Sequence, residues 1–155
     1  MATAMLTRPA TSRGGVQQGV ASHGPVEAAA TDRLLRSARL ALAEADVAAD
    51  AGERYAAAHL AALRSAAAVL AARAAPATGR SRRPASAWTL LTQVAPDLAE
   101  WAAYFASGAD KRAAAQAGIR GAVSTREADD LLRDAVEFTS LVEARLGMLP
   151  LGFDE

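Results

Sequence analysis

The sequence predicts an all-α fold, an up-and-down bundle of four to five helices preceded by a disordered N-terminal tail. Three observations predict it: apolar residues recur at helical spacing, the segments that carry them are rich in alanine, and capping residues mark helix ends. The 155 residues are enough for one domain with a helical core. We expect a disordered tail over residues 1–30, the helical domain over residues 31–147 and a short C-terminal tail over residues 148–155.

The amino-acid composition excludes several classes of function. Seventeen basic and seventeen acidic side chains cancel, so only a local patch can attract an anionic partner. The absence of cysteine excludes disulfides and thiolate metal sites, and two histidines are too few for a zinc site. We therefore expect no metal and no cofactor. No apolar stretch approaches the ~20 residues that span a bilayer, and the N-terminus lacks a signal-peptide core, which predicts a cytoplasmic protein without a membrane span.

Residues 1–30 are rich in glycine, proline and glutamine and hold few large apolar side chains, which predicts disorder and a solvated His23. The first helix is predicted from Thr31 or Asp32 to about Asp50. Its apolar stripe comprises Leu34, Leu35, Ala38, Ala41, Leu42 and Ala45. Leu40 and Val47 fall on the other side of this helix. Either a further helix or a second subunit covers that patch, or these are ordinary exposed apolar residues.

The central helix is predicted from Glu53 to about Ala75, after a short turn around Ala51–Gly52 that makes the first two helices antiparallel. His59 lies in the middle of its main apolar stripe, and Arg54 is rotated ~140° away from it. The stripe consists of Tyr55, Ala62, Leu63, Ala66 and Leu70, and the opposite face consists of the small residues Ala58, Ala61, Ser65, Ala68 and Ala72 together with Arg54. His59 is either a core histidine or a catalytic one, and Arg54 is either an ordinary first-turn arginine or its catalytic partner.

Residues 76–85 are predicted to form a loop, because prolines mark its ends and no apolar periodicity runs through it. Five arginines and no acid lie between Arg64 and Arg83, which makes this the one local basic run. Such a run can contact phosphate or can simply be solvated. If nucleic acid is bound, the predicted contacts are Arg73, Arg80, Arg82 and Arg83.

The remaining helices have clear boundary signals. Ser86 is predicted to cap a helix from Ala87 to Val94, Pro96 to open the next helix to about Ser107, and a short helix to follow over residues 109–117. The last helix has Ser124 and Glu127 in a capping box and ends at Gly147. Its predicted buried stripe is Ala128, Leu131, Leu132, Ala135, Phe138, Val142 and Leu146, and its solvated outer face is Asp129, Asp130, Arg133, Asp134 and Glu137. Trp88, Trp101, Tyr104 and Phe105 are expected to be core residues rather than a base-stacking platform.

The order of a helical hairpin, a basic loop, an aromatic helix and the C-terminal segment at residues 126–138 (READDLLRDAVEF) resembles the HEPN superfamily. Residues 53–55 (ERY), 58–64 (AHLAALR) and 86–88 (SAW) are similar to a small actinobacterial branch of it. The resemblance covers about residues 32–147. It implies a bundle of four or five helices that commonly dimerises, with a role in RNA cleavage or in binding RNA or nucleotides.

Catalytic HEPN members carry an Arg-x4-6-His signature and cleave RNA without a metal. In such a site, a histidine takes the proton from a ribose 2′-hydroxyl and an arginine stabilises the phosphorane charge. Arg54 and His59 have this spacing, although in those members the signature generally lies near the start of the last long helix. We expect a HEPN-like binding protein that forms a homodimer and associates with RNA, a nucleotide or a protein partner without catalysis of its own. The alternative is an endoribonuclease of toxin type that uses Arg54 and His59.

Overall fold

The computed structural model describes residues 24–73 and 84–147, and within these ranges the protein is all-α. Its helices are α1 (Pro25–Val47), α2 (Ala51–Ala72), α3 (Pro84–Val94), α4 (Ala99–Ser107), α5 (Ala109–Gln116) and α6 (Thr125–Arg145), with a 3₁₀ turn at Pro96–Leu98. Helix α5 contributes no buried residue, so the other five α-helices build the core of the described part. The predicted fold class is confirmed.

Helix α2 is the centre of the bundle and packs against α1, α3, α5 and α6. Arg54 bonds to the carbonyl of Ala45, and Arg64, ten residues later in α2, bonds to Ser37, so α1 and α2 are antiparallel. Most residues of both predicted faces of α2 are buried, but Leu63 and Leu70 of the main stripe and Ala72 and Arg54 of the other face are only partly buried. Within the described ranges, α2 is also the one helix whose length and apolar composition would suit a membrane span. Half of the tested window is enclosed by the bundle, as in the core helix of a folded domain.

Two predicted boundaries of α1 are wrong. The helix begins at Pro25 rather than at Thr31, because Pro25 suits a first helical position and the Glu27 carboxylate accepts the Gly24 backbone N–H at 2.9 Å. Residues 25–30 are therefore helical, and the rest of the predicted tail lies outside the described residues. Helix α1 ends at Val47 because Asp50 caps α2 instead, accepting the Glu53 backbone N–H at 3.0 Å. Helix α2 accordingly starts at Ala51, two residues before its predicted start.

The later boundaries are mostly as predicted. Helix α3 begins at Pro84 rather than Ala87, so the predicted loop is shorter at its end, and residues 76–83 lie outside the described part. Pro96 opens a 3₁₀ turn that leads into α4. The capping box of α6 is present, and Gly147 follows the helix with a φ of 75°, a conformation that glycine adopts freely. The predicted C-terminal tail over residues 148–155 lies outside the described residues.

The predicted apolar stripes form the core. On α1 the buried residues include Leu35, Ala38, Ala41, Leu42 and Ala45, and on α6 they include Ala128, Leu131, Ala135, Phe138 and Val142. Helix α6 also buries Thr139 and Glu143, which the predicted stripe omitted. Thr139 forms a hydrogen bond with Ser65 of α2 at 2.8 Å, and Glu143 forms a two-point ion pair with Arg39 of α1. The two polar contacts hold α6 against the hairpin.

Candidate functional site

His59 lies in an aromatic cluster whose rings come from four helices, α2, α3, α4 and α6. Its side chain has 0% of its surface exposed. The edges of the Trp88 and Phe105 rings meet the imidazole at centroid distances of 6.2 Å, and the Tyr55 ring stacks on it at 6.4 Å. Phe138 of α6 then packs on Phe105 at 5.2 Å. The long apolar stripes bring these rings together, so the cluster closes over the histidine from α3, α4 and α6.

The hydrogen bond of His59 fixes its tautomer. Its Nε2 lies 2.8 Å from the Phe105 carbonyl oxygen, which can only accept, so Nε2 carries the proton and donates. This carbonyl lies in the last turn of α4 and also accepts the Gly108 backbone N–H at 3.0 Å. The Nδ1 atom is buried and has no hydrogen-bond partner among the described residues. Burial lowers the pKa of His59, the Phe105 hydrogen bond opposes this, and the charge of Arg112 lowers it further. The imidazole is therefore neutral at pH 7.

Arg54 belongs to a different set of contacts. Its Nε donates to the Ala45 carbonyl at 3.0 Å, its Nη2 donates to the Ala48 carbonyl at 2.8 Å, and its Nη1 forms an ion pair with Asp129. The guanidinium thus satisfies carbonyls at the C-terminal end of α1 and links that end to α6. None of the described contacts joins Arg54 to His59. The structure does not bring the two predicted catalytic residues together.

The predicted phosphate-binding run is only partly described. Arg64 donates to the Ser37 hydroxyl, and Arg73 donates to the Val94 carbonyl at 2.9 Å, so both guanidinium groups have partners inside the protein. Arg80, Arg82 and Arg83 lie outside the described residues. The role of this run in nucleic-acid binding stays a prediction.

Two adjoining cavities lie between α4 and α6, and we call them together the acidic groove. The outer cavity, of about 350 Å³, is lined by Glu100, Trp101, Tyr104 and Asp134. The inner cavity, of about 260 Å³, is lined by Tyr55, Tyr104, Ser107, Gly108, Lys111, Glu127, Asp130 and Leu131. Tyr104 belongs to both cavities, and 43% of its surface is exposed. The groove is open to solvent, and two residues that line its inner cavity, Tyr55 and Gly108, also lie beside the enclosed His59.

Ion pairs and hydrogen bonds order the walls of the acidic groove. The Tyr104 hydroxyl donates to the Asp134 carboxylate at 2.6 Å, and Lys111 contacts Glu127 at 2.6 Å. Partial burial raises the pKa of Tyr104 well above its usual value, and the hydrogen bond and charge of Asp134 raise it further. The phenol therefore remains protonated throughout the neutral pH range. The Lys111 ion pair lowers the pKa of Glu127, which is a carboxylate at neutral pH.

A comparison with protein families matches residues 45–143, more than half of the chain, to a model described as SAV_6107-like HEPN. The chain belongs to the SAV_6107-like HEPN family. The resemblance predicted from the sequence is thereby confirmed at the level of the family. No curated protein and no solved structure matches the chain.

The matched part of this HEPN domain contains Arg54, His59 and the whole acidic groove, but only the last turn of α1. Sequence reasoning missed the groove because it assigned Tyr104 to the core and the acids of α6 to a solvated face. A signal was present: Glu100 and Tyr104 are four residues apart in one short helix and therefore share a face. Within residues 24–73 and 84–147, no group of three or more histidine, aspartate or glutamate residues is arranged to hold a metal ion.

Proposed function

We propose that this HEPN domain acts by binding, without catalysis of its own. The observation that supports the proposal best is the complete enclosure of His59. A general base must come within about 2.6–3.2 Å of the proton that it abstracts, directly or through one water. The unprotonated Nδ1 of His59 is sealed by aromatic rings, and its protonated Nε2 is held by a backbone carbonyl.

The contacts of Arg54 support the same proposal. An arginine that stabilises a transition-state phosphate needs free N–H groups pointing at the substrate. The Arg54 guanidinium already donates to two backbone carbonyls and to Asp129, and its side chain is only 24% exposed. A substrate would have to displace contacts that tie the end of α1 to α6. In this proposal Arg54 is a residue that holds the hairpin together.

We propose further that the partner is a second copy of the chain, bound through the outer stripe of α1. This stripe consists of Val26, Ala29, Arg33, Arg36, Leu40, Ala43 and Val47, all of them exposed. The spacing alternates between three and four residues, as in the seam of a coiled coil. Val26, Leu40 and Val47 are 76%, 66% and 80% exposed, which is unusual for large apolar residues on one stripe.

The charges along α1 favour an antiparallel pair of copies. Arg33, in the N-terminal half, has no ion-pair partner among the described residues, and neither do Glu44 and Asp46 near the C-terminal end. An antiparallel arrangement sets the N-terminal half of one α1 beside the C-terminal half of the other, so Arg33 meets these acids. A parallel arrangement would place Arg33 beside its own copy. Opposite charges at flanking positions set helix orientation in this way.

Incubation of the purified protein with total RNA in EDTA tests the absence of catalysis. We expect no specific fragments at any time point. The proposal fails if the parent protein produces specific fragments and a folded His59→Gln variant does not, because His59 would then be needed for cleavage. Binding of intact RNA, abolished by changing Arg80, Arg82 and Arg83 to alanine, would instead assign RNA as the partner.

Analytical ultracentrifugation tests the second copy as the partner. We expect a monomer–dimer equilibrium at roughly tens of micromolar, because one helix pair is a small interface. Leu40→Glu should give a monomer, whereas Ile119→Glu, which changes an equally exposed apolar residue outside α1, should not. Arg33→Glu and Glu44→Arg should each weaken the dimer, and the double variant should restore it. A parent protein that is monomeric throughout this range would refute the interface.

A further inference from the structure

Tyr55 presents an unused hydroxyl group to the inner cavity of the acidic groove. Only 6% of the residue's surface is exposed, yet its hydroxyl has no hydrogen-bond partner among the described residues. The hydroxyl oxygen itself is not fully enclosed, so water and a ligand can reach it. Lys111 and Glu127 line the same cavity, so the Tyr55 hydroxyl shares the inner cavity with their ion pair. The inner cavity therefore contains a fixed polar group that is available to a ligand.

Gly108 leaves the space that this hydroxyl occupies. A Cβ atom added at Gly108 would lie 2.5 Å from the Tyr55 hydroxyl oxygen, closer than atoms approach without displacement. The backbone of Gly108 has a φ of −93°, which any residue adopts, so the requirement for glycine here is one of space and not of conformation. Gly108 is thus needed for the shape of the inner cavity rather than for the turn between α4 and α5.

The charged residues that line the acidic groove favour the binding of a cation. Four carboxylates line the two cavities, and Lys111 is the one basic side chain that lines them. Lys111 offsets Glu127, and Arg133 offsets Asp130 at 3.1 Å. Glu100 and Asp134 have no ion-pair partner in the described part of the chain, and they flank the rings of Trp101 and Tyr104 in the outer cavity. Aromatic faces beside unpaired carboxylates attract ammonium and guanidinium groups, and they repel phosphate.

We propose that the acidic groove is a binding site for an organic cation that carries a second hydrogen-bond donor. An ammonium or guanidinium group sits in the outer cavity between Glu100 and Asp134, against the ring of Tyr104. An aliphatic chain crosses Tyr104 into the inner cavity, where the second donor bonds to the Tyr55 hydroxyl oxygen. Short diamines and arginine-like amines have this chemistry. The proposal uses none of the residues of the α1 stripe and does not depend on dimerisation.

Calorimetric titration of the full-length protein at low salt tests the site. The probes are putrescine, agmatine, the neutral butanediol with the carbon chain of putrescine, and adenosine monophosphate. We expect the two amines to bind and butanediol and the nucleotide not to bind. Added salt should weaken the binding, because part of the attraction is electrostatic. Equal binding of butanediol, preference for the nucleotide, or no binding of either amine would overturn the proposal.

Two variants and one control test whether the amine binds in the acidic groove. Asp134→Asn keeps the shape of the outer cavity and removes its charge, and it should weaken amine binding by about tenfold. Gly108→Ala should displace the Tyr55 hydroxyl and weaken diamine binding by a similar factor. The matched control is Glu137→Gln, which removes an acid from the exposed surface of the same helix outside the groove and should leave binding unchanged. A loss of binding with Glu137→Gln as large as that with Asp134→Asn would show a general charge effect and would overturn the proposal.

A free amine and an amino-acid side chain of a peptide can both supply such a cation. One further titration distinguishes these two sources. Acetyl-arginine amide carries the guanidinium group on a peptide-like backbone. Binding as tight as that of agmatine would assign the site to an arginine side chain. Much weaker binding would assign it to free amines, because the backbone then does not fit the inner cavity. In either outcome Asp134→Asn must weaken the binding.

Discussion

Two residues that pack against Phe105, His59 and Tyr104, differ in access to water. His59 is wholly enclosed by Tyr55, Trp88 and Phe105. Tyr104 packs edge-on against Phe105 at 5.0 Å and is 43% exposed in the acidic groove. The histidine has the residue type and spacing of a catalytic group but no path to a substrate. The tyrosine belongs to no sequence motif, but a ligand can reach the residues around it.

This difference shows that spacing along the chain is insufficient to identify a site in a small helical domain. Residue type and spacing place a side chain on a helix face, and packing against other helices then decides whether solvent reaches it. For His59, the deciding residues are Trp88 and Phe105, which lie in helices much later in the chain.

His59→Ala should lower the free energy of unfolding by about 3 kcal/mol, because it removes a fully buried ring and one of the two hydrogen bonds that the Phe105 carbonyl accepts. Thermal unfolding should show a melting temperature lower by several degrees. The control is His23→Ala, which changes the only other histidine and should have no effect. A His59→Ala protein as stable as the parent would show that the ring is not a core residue.

Acidification should destabilise the protein through His59. Burial lowers the pKa of His59 in the folded state from its ordinary 6.5, so below pH 6.5 the unfolded chain binds a proton that the folded chain does not. The stability linked to this histidine is complete above pH 6.5 and is lost as the pH falls toward its folded-state pKa. Denaturant unfolding between pH 7.5 and pH 5 should show the loss. His59→Phe should flatten the slope, and an unchanged slope would contradict the assignment.

Arg54→Ala should destabilise the domain by about 1 kcal/mol, because two backbone carbonyls near the end of α1 lose their donor. Chemical denaturation measures the change. The matched control is Arg126→Ala, since Arg126 is an exposed arginine in the first turn of α6 and its removal should change stability little. If both variants unfold at the same denaturant concentration as the parent, Arg54 does not hold the hairpin together.

Tyr104→Leu should change the free energy of unfolding by less than about 1 kcal/mol, because the residue is partly exposed and its apolar packing is largely kept. The substitution should instead weaken amine binding, because the groove loses the aromatic face of Tyr104. Tyr104→Phe keeps this face and loses only the hydroxyl group, so it should bind amines better than Tyr104→Leu does. A large loss of stability with Tyr104→Leu would place this residue in the core, like His59.

Much of the fold could be predicted from the sequence because it depends on residues that are close together in the chain. The stripes of α1 and α6, the capping box at Ser124 and Glu127 and the stop at Gly147 all depend on residues within a few positions of one another. The early start of α1 was missed because Gly24, Pro25 and Glu27 cap a helix at the edge of a segment whose composition indicates disorder. At this position the capping residues, and not the composition of the segment, determine where the helix begins.

The site was less predictable because it depends on pairs that are distant in the sequence. The register of α2 correctly placed His59 in an apolar stripe, but the register alone does not show how deeply the other helices bury it. Gly108 was predicted only to end a helix, and its approach to Tyr55 follows from the packing of α4 and α5 on α2. The burial of Glu143 was missed because its partner Arg39 lies more than one hundred residues earlier.

The most direct test of the account is a long-range ¹H–¹⁵N NMR experiment on the imidazole nitrogens of His59, with His23→Gln to simplify the spectrum. The account predicts a neutral ring protonated at Nε2 at pH 7, slow exchange of that proton with water, and a titration midpoint below the ordinary 6.5, because the ring is enclosed and its pKa is lowered. Titration near pH 6.5 with rapid exchange would mean that solvent reaches the ring. That result would contradict the account and support Arg54 and His59 as an active site.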